Sequence, residues 1–245
     1  MIEIENLWKS FNSNQVLTGL QLNIHDGESL VVIGKSGSGK SVLLKLMIGL
    51  LKPERGKIRI EREDIVGMGF RDLQKIRRRF GFVFQAAALF DSLTVAENVG
   101  LALRKFFHYS EGKIEHRIRE CLAFVDLEGA ENKYPAELSG GMKKRVGVAR
   151  AIATYPQYIL FDEPTTGLDP ETAENINQLI VKLKNEMEVT SVVVTHDMHS
   201  AFTVGDRIVL LHDGKIEVEG SPTEIRKMVH PEVQKFLIGY TLNQY

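Results

Sequence analysis

Short apolar runs, bounded by glycine, proline or polar clusters, predict a set of buried strands. Ser29–Ile33 and Thr190–Thr195 are apolar or β-branched along nearly their whole length, and residues 80–84 and 158–161 repeat this pattern. Continuous apolar runs of four to six residues are typical of strands covered on both faces, as in parallel sheets. The segments between them predict helices, so the chain is expected to have an α/β fold.

Two other regions predict antiparallel pairing. Residues 1–33 alternate strands and turns, which suits an antiparallel β layer, and residues 57–60 predict a further strand. Residues 207–211 and 215–218 flank Asp213-Gly214, a dipeptide that favours a hairpin. The pattern therefore indicates an antiparallel layer that precedes the α/β core and a hairpin that follows it.

Helical periodicity dominates the middle of the chain. Residues 94–103 and 114–125 carry apolar side chains at helical spacing, and the region 86–155 is mainly helical. A later helix opens at Asp169-Pro170, with an N-cap acid and a proline at its first position. Its apolar stripe consists of Ala173, Ile176, Leu179, Ile180 and Leu183. We expect one domain over 1–220 with a helical subdomain inserted at about 86–155, followed by an extension over 221–245.

Composition excludes several classes of function. The chain has 245 residues, a net charge of −1 and 43% hydrophobic residues, which is typical of a globular domain and gives no electrostatic footprint for nucleic acid. No apolar run approaches the roughly 18–20 residues that cross a bilayer, and the acidic, alternating start is not a signal peptide. Cys121 is the only cysteine, which fits a reducing compartment and a small core residue.

A glycine-rich loop between a strand and a helix predicts a phosphate site. Residues 34–41 read GKSGSGKS, which fits the P-loop pattern, and residues 42–48 predict the following helix. Backbone N–H groups and the helix N-terminus point at the anion in such loops. Lys40 is expected to reach the β- and γ-phosphates, and the Ser41 hydroxyl to ligate Mg²⁺. The residues expected to bind ATP are Gly34, Ser36, Gly37, Ser38, Gly39, Lys40, Ser41 and Val42.

Two carboxylates end the strand at 158–161. We expect this strand to lie beside the P-loop strand in a parallel sheet. Ligands bind at the carboxyl ends of such strands, so its two carboxylates would lie near the phosphate loop. Asp162 is then placed to hold Mg²⁺, and Glu163 points elsewhere and can polarise the attacking water. A solvated pair at a strand end is the alternative, but the apolar run before it and Pro164 after it argue against that.

Three further positions are ambiguous by themselves. His196 comes directly after the strand Thr190–Thr195, and from there it can bind the γ-phosphate or the attacking water. A lone histidine, however, is more often structural. Gln85 follows a strand and can add an amide oxygen to Mg²⁺. Phe11 can stack on an adenine ring or belong to the core.

A second glycine turn predicts a shared site. Ser139, Gly140 and Gly141 precede a helix that begins near Met142, and a glycine turn at a helix N-terminus can bind an anion. One nucleotide does not need two such sites in one chain. A two-fold dimer accounts for both anion sites, since each Ser139 turn then closes over the γ-phosphate held by the other chain. An N-cap serine followed by flexible glycines is the alternative.

Taken together and in this order, the motifs resemble those of ABC-type ATPases over residues 1–220. The resemblance implies a P-loop (RecA-like) core, an adenine contact at Phe11, the Walker A loop at 34–41 and the Q-loop residue Gln85. It also implies the signature at 138–142, the Walker B strand with its catalytic glutamate at 158–163, the D-loop at 167–169 with Asp169, and the switch histidine His196. On this basis Glu163, His196, Gln85 and Asp169 are expected to be catalytic, with two ATP molecules between the subunits of a homodimer.

Finer features are similar to the ATPase subunit of Mla/Mce-type lipid transporters. They are Val42 after the Walker A serine, the run 85–95, and Met142 followed by KKRVG. This branch implies phospholipid transport with a separate integral-membrane permease and an Mce-type lipid-binding protein. The chain is then expected to be cytoplasmic and bound to the inner membrane through the permease, with residues 86–104 as the docking surface.

Other functions remain open at this point. A non-transport cassette that transmits force to a cell-envelope or division complex would carry the same motifs. DNA-repair or chromosome-organising ATPases usually have long coiled-coil or zinc insertions, and ribosome-acting proteins usually have two cassettes. Neither feature is visible in the sequence.

The segment after Gly220 predicts two short helices, over 222–228 and 231–239. Their apolar residues Val233, Phe236, Leu237 and Ile238 need cover. We expect them to pack on their own domain; contact with the second ATPase subunit or an accessory protein is the alternative.

Overall fold

Ten strands and nine α-helices are present in the computed structural model, which describes residues 1–242. The strands are β1 (Ile2–Phe11), β2 (Asn14–Ile24), β3 (Ser29–Ile33), β4 (Arg55–Ile60), β5 (Glu63–Asp64), β6 (Phe80–Val83), β7 (Tyr158–Asp162), β8 (Thr190–Thr195), β9 (Arg207–His212) and β10 (Lys215–Gly220). The helices are α1 (Lys40–Met47), α2 (Phe70–Arg77), α3 (Val95–Phe106), α4 (Glu111–Phe124), α5 (Gly140–Ile152), α6 (Pro170–Met187), α7 (Met198–Val204), α8 (Pro222–Lys227) and α9 (Pro231–Leu242).

The strands form two sheets. The smaller sheet is antiparallel, with the order β2-β1-β4-β5, and confirms the layer predicted before the core. The third strand of the predicted 1–33 layer, β3, belongs instead to the larger sheet, where it pairs in parallel with β8 and β9. The hairpin at Asp213-Gly214 is confirmed, because β10 runs antiparallel to β9.

The larger sheet has the order β10-β9-β3-β8-β7-β6. The expectation that the strand before Asp162 lies beside the P-loop strand is therefore wrong, because β8 lies between β7 and β3. Both β7 and β8 are buried along their whole length. An apolar run identifies a strand of the sheet interior but does not show which strands pair with it. The crossover connections decide that order.

Helices α3, α4 and α5 lie between β6 and β7 in the chain and pack on one another. Their inward side chains share one hydrophobic cluster with the larger sheet, and this cluster includes Cys121, where burial raises the pKa of the thiol to about 11. Helix α5 approaches β6 very closely at Gly81, where an added Cβ would lie 2.6 Å from the Ala151 carbonyl oxygen. This contact fixes the position of α5 against the sheet.

Two elements lie outside the central layers. Helix α2 was not predicted, because its sequence is strongly polar and only Ile76 is buried. Helix α9 packs on α7, with Val233 fully buried and Phe236 and Leu237 against the main cluster. The extension thus packs on its own domain in the part described; its last three residues, 243–245, lie outside the described residues.

None of the helices within residues 1–242 is long and apolar enough to span a membrane.

Candidate active site

A cavity of about 520 Å³ opens at the carboxyl edge of the larger sheet. It brings together the phosphate loop, the loops that follow β6, β7 and β8, and one side chain from each of β1 and β2. Its walls are Phe11, Val16, Ser36, Gly37, Gly39, Lys40, Ser41, Val42, Gln85, Glu163, Thr166 and His196. Residues far apart in sequence meet here because parallel strands present their carboxyl ends at one edge.

The phosphate loop holds Lys40 at its centre. Gly39 has a φ of +102°, and a Cβ there would lie 2.8 Å from a Val16 methyl group, so glycine alone fits. Lys40 then begins α1, and its Nζ donates to the carbonyl oxygens of Gly34 at 2.8 Å and Lys35 at 3.1 Å. The ammonium is buried inside the loop, which is the position from which it can reach a bound phosphate.

The donor set of this loop fits a magnesium nucleotide. Ser38 Oγ is buried without a hydrogen-bond partner among the described residues, which leaves a donor free for an anion. Ser41 Oγ donates to Asp162 Oδ1 at 2.6 Å, across the sheet edge. A hydroxyl and a carboxylate are the oxygen ligands that Mg²⁺ prefers.

Glu163 is aimed differently from Asp162 by its backbone. Its φ is +49°, in the left-handed region, which costs an L-residue about 1–2 kcal/mol. Its N–H donates to the Val194 carbonyl at 2.9 Å, so the turn is held against β8. Adjacent residues thus serve different partners: Asp162 contacts Ser41, and Glu163 points into the cavity.

Three side chains converge on the Glu163 carboxylate. Lys40 Nζ lies 3.3 Å from Oε1, while His196 Nδ1 lies 2.9 Å and Thr166 Oγ1 3.2 Å from Oε2. Glu163 and Lys40 are buried, whereas the His196 side chain is 57% exposed. The carboxylate is therefore oriented by partners on both sides, and His196 approaches it from the solvent side.

Gln85 and Phe11 occupy the rim of the cavity. Gln85 directly follows the residue after β6 and is exposed. Phe11 is 44% exposed, with Lys9 Nζ 5.1 Å from the ring centroid. This exposure excludes the alternative in which Phe11 is a core aromatic residue.

Several residues of the site were not predicted from sequence. Val16 and Thr166 line the cavity, and neither lies in a recognisable motif. Lys144 is buried below it, with its Nζ 2.5 Å from the Gln85 carbonyl oxygen and 3.3 Å from that of Glu163. Burial lowers the pKa of Lys144, and the charges of Glu163 and Asp162 oppose this shift. Lys144 carried no distinct signal in the sequence, because α5 also contains Lys143, Arg145 and Arg150.

Other predicted residues lie elsewhere in this chain. Ser139 and Gly141 line a separate cavity of about 410 Å³ beside α6, with Gly140 between them. Ser139 Oγ accepts a hydrogen bond from the Met142 N–H and caps α5, and Asp169 caps α6, where hydrogen bonds from Thr172 lower the pKa of its carboxyl group. Within one chain, these residues do not line the cavity that contains Lys40.

Comparisons with known proteins agree with this architecture. Residues 17–166 match the family model described as ABC transporter. The probable ribonucleotide transport ATP-binding protein mkl of Mycobacterium tuberculosis is 41% identical over 238 residues, which are 97% of this chain and 66% of that protein. The chain thus spans about two thirds of the length of this relative.

A plant protein and a solved structure are comparably similar. The protein TRIGALACTOSYLDIACYLGLYCEROL 3, chloroplastic, of Arabidopsis thaliana is 40% identical over 255 residues, which cover 98% of this chain and 74% of that protein. The dimeric post-hydrolysis structure of the ATP-binding cassette MJ0796 with ADP and Pi has a TM-score of 0.84 and 40% identity, covering 91% of this chain and 99% of that one. Because the family model covers more than half of its length and the fold matches, the chain belongs to the ABC transporter family as one of its ATP-binding cassettes.

Proposed function

We propose that the chain hydrolyses ATP as the nucleotide-binding subunit of an ABC transporter that moves lipids between membranes. The observation that carries the ATPase is the Glu163 carboxylate, held within 3.3 Å of Lys40 and 2.9 Å of His196 at the mouth of the phosphate loop. A buried cation, a carboxylate and a histidine meet where the terminal phosphate of a bound nucleotide would lie. This arrangement suits phosphoryl transfer to water.

Binding is divided among three groups of residues. The backbone of 34–41 and the Lys40 ammonium hold the phosphates, and the exposed Phe11 ring supports the adenine. Ser41, Asp162 and Gln85 would hold Mg²⁺, which, when bound, neutralises charge on the phosphate oxygens. The 2.6 Å contact between Ser41 and Asp162 supports this assignment for two of the three.

The hydrolytic step is assigned to Glu163 and His196. Glu163 accepts a proton from the attacking water, and His196 orients that carboxylate and contacts the phosphate. In this structure Lys40 shares the Glu163 carboxylate. Because a phosphate would compete for the same ammonium, nucleotide binding is expected to release Glu163 from Lys40 and leave it free to act as a base.

A second copy of the chain completes the site. Within one chain, the cavity that contains Lys40 and Glu163 is not lined by Ser139, Gly140, Gly141 or Asp169. They can contact a nucleotide if two chains face each other, as the dimeric cassette structure with 40% identity supports. We assign them to the phosphate held by the partner copy, so hydrolysis requires a homodimer.

The lipid assignment has two supports. Val42, Met142 and the run 85–95 resemble the Mla/Mce branch. One relative at 40% identity is named for a galactolipid, although another at 41% is named for ribonucleotide transport. The proposed partners are a membrane permease and an Mce-type lipid-binding protein, which would place the chain at the cytoplasmic face of the inner membrane.

The surface over 86–104 is the proposed permease contact. Ala87 and Ala88 have φ values of 58° and 48°, and Arg150 donates to both of their carbonyl oxygens at 2.6 Å. The exposed ring of Phe90 follows on the same loop. A rigid, partly apolar loop next to Gln85 can pass closure of the nucleotide site to a membrane partner.

Nucleotide-dependent assembly tests the shared site. In a Glu163→Gln background, Ser139→Asp keeps a good N-cap but places a negative charge at the proposed phosphate contact, while Ser139→Thr keeps a neutral cap. Sedimentation with ATP should show dimers for the Glu163→Gln chain and its Thr variant and monomers for the Asp variant. Melting temperatures should match. An Asp variant that dimerises equally well would remove Ser139 from the interface.

Reconstitution tests the lipid assignment. The chain is co-purified with its membrane complex, placed in phosphatidylethanolamine and phosphatidylglycerol vesicles, and assayed for ATP-dependent transfer of a labelled phospholipid. Transfer that stops with Glu163→Gln supports lipid transport. ATP hydrolysis without transfer, in a complex that retains its membrane protein, would instead favour the force-transmitting cassette.

A further inference from the structure

Helix α5 carries one buried cation. Lys144 is only 6% exposed, while its neighbours Lys143 and Arg145 are partly exposed. Burying an ammonium group costs free energy unless the group is hydrogen-bonded. A lysine at this position therefore requires partners that compensate for the loss of hydration. Its surroundings therefore indicate what the residue does.

The partners of Lys144 are two backbone carbonyl groups from different loops. Its Nζ lies 2.5 Å from the oxygen of Gln85, in the loop after β6, and 3.3 Å from the oxygen of Glu163, after β7. Neither contact uses a carboxylate oxygen of Glu163, whose side chain remains with Lys40 and His196. One ammonium with three donors thus links the backbones of two proposed active-site residues.

The position of Lys144 along α5 adds a third connection. The helix begins at Gly140, directly after its N-cap Ser139, and Lys144 lies in its second turn. Ser139 itself is exposed and lies in the separate cavity. A displacement of the helix start would therefore be carried through Lys144 to both carbonyl groups.

We propose that Lys144 is a positioning residue, which sets the Gln85 loop and the Glu163 turn relative to each other and couples both to the Ser139 turn. This inference rests on the proposed ATPase function and deepens it. Lys144 does not contact the nucleotide in this scheme. Its removal should therefore impair turnover more than nucleotide binding.

The kinetic test compares Lys144→Met with Lys144→Arg in the full chain. Methionine fills similar space without donors, whereas arginine restores a cation with several donors. We expect kcat to fall about 10- to 100-fold in the Met variant, as for loss of hydrogen bonds to a charged group, with less than about a threefold change in the Kd of a fluorescent ATP analogue. The Arg variant should recover most of kcat.

The matched control is Arg77→Met. Arg77 also donates to two backbone carbonyls, those of Ile48 at 3.0 Å and Gly49 at 2.8 Å, but it lines neither the cavity that contains Glu163 nor the one that contains Ser139. The control should keep the wild-type kcat. Equal losses of kcat in the two Met variants, or equal losses of kcat and ATP affinity in Lys144→Met, would overturn the proposal.

Hydrogen exchange supplies a readout that does not depend on hydrolysis. Without nucleotide, the amides of residues 85–88 should exchange faster in Lys144→Met than in wild type and in Arg77→Met. Unchanged exchange over this loop, together with a wild-type kcat, would overturn the role of Lys144. If wild type shows no ATPase activity, the proposed function fails while this comparison still tests Lys144.

Lys144→Gln keeps the proposal testable if the Met variant does not fold. Glutamine can donate to a carbonyl but is shorter and uncharged. Its kcat should lie between those of the Arg variant and the baseline without enzyme. Identical kcat values for wild type, Arg and Gln would show that the linkage is not needed.

Discussion

Lys40 and Glu163 form an ion pair of 3.3 Å, although the strands that precede them are not neighbours in the sheet. Strand β8 lies between β3 and β7, so the two side chains reach towards each other across its end. The left-handed backbone of Glu163 makes this reach possible by turning its side chain away from that of Asp162. The ammonium compensates the buried carboxylate, and a phosphate that enters the loop must compete for it.

Glu163→Gln should separate binding from hydrolysis. Loss of a general base typically costs about 10²–10⁴-fold in rate, and an amide leaves the Lys40 ammonium free of its carboxylate partner. We therefore expect phosphate release to fall by that amount while ATP affinity is kept or increases. Steady-state phosphate release and binding of a fluorescent ATP analogue measure the two quantities. Glu186→Gln, an exposed site on α6, is the control. Undiminished turnover would remove Glu163 from its role.

Lys40→Ala should abolish tight nucleotide binding. The variant loses charge-assisted hydrogen bonds worth roughly 1.5–3 kcal/mol each, which corresponds to at least a tenfold weaker Kd. Calorimetric titration with ATP and Mg²⁺ measures this change. Lys45→Ala, on the same helix but outside the cavity, should keep the wild-type Kd. The assignment of the phosphate loop would not survive equal affinities in the two variants.

Gly81→Ala should destabilise the fold. Its Cβ would lie 2.6 Å from the Ala151 carbonyl oxygen, and a backbone atom of α5 cannot move without displacing the helix. Overpacking of this kind costs about 1–3 kcal/mol, seen as a lower urea midpoint. Gly112→Ala is the matched change, because a Cβ there meets nothing within 4 Å and alanine favours the helix by less than about 1 kcal/mol. Equal midpoints would contradict the close contact between α5 and β6.

The pH dependence of stability should show that α9 is tied to the phosphate loop. Glu232 pairs with Lys235 and lies 3.1 Å from Lys35 in that loop, and it faces His212 at 3.5 Å. Hydrogen bonds from Lys235 and Lys35 lower the pKa of Glu232 from 4.5 to about 2. A lowered pKa in the folded state means that the carboxylate stabilises the fold above about pH 4.5, and that this contribution disappears as the pH falls towards about 2.

Unfolding measured as a function of pH in wild type and Glu232→Gln tests this coupling. The wild-type chain should be more stable at neutral pH, and the difference should shrink between about pH 4.5 and pH 2. Proteolysis of the 222–238 segment should be faster in the variant at neutral pH. A difference that stays constant across this window would show that Glu232 does not bind the loop through its charge.

The motifs were predictable because each depends on a local pattern. The P-loop needs glycines and a lysine at fixed spacing between a strand and a helix, and the structure has β3, the loop and α1 in that arrangement. Apolar runs likewise identified β7 and β8 as buried strands. The polar helix α2 escaped detection because only one of its residues is buried. Thr166 and Val16 carried no local signal, since they enter the site through contacts between distant segments.

The sequence by itself determined the family, the order of the motifs and the residue types of the site, because a P-loop and a strand that ends in Asp162-Glu163 are local arrangements. Only the tertiary structure decided that β8 separates β3 from β7, that Lys40 pairs with Glu163 and that Lys144 bridges two loops. Strand order and the contacts of buried charges depend on how distant segments fold onto one another, and no spacing along the chain encodes those distances.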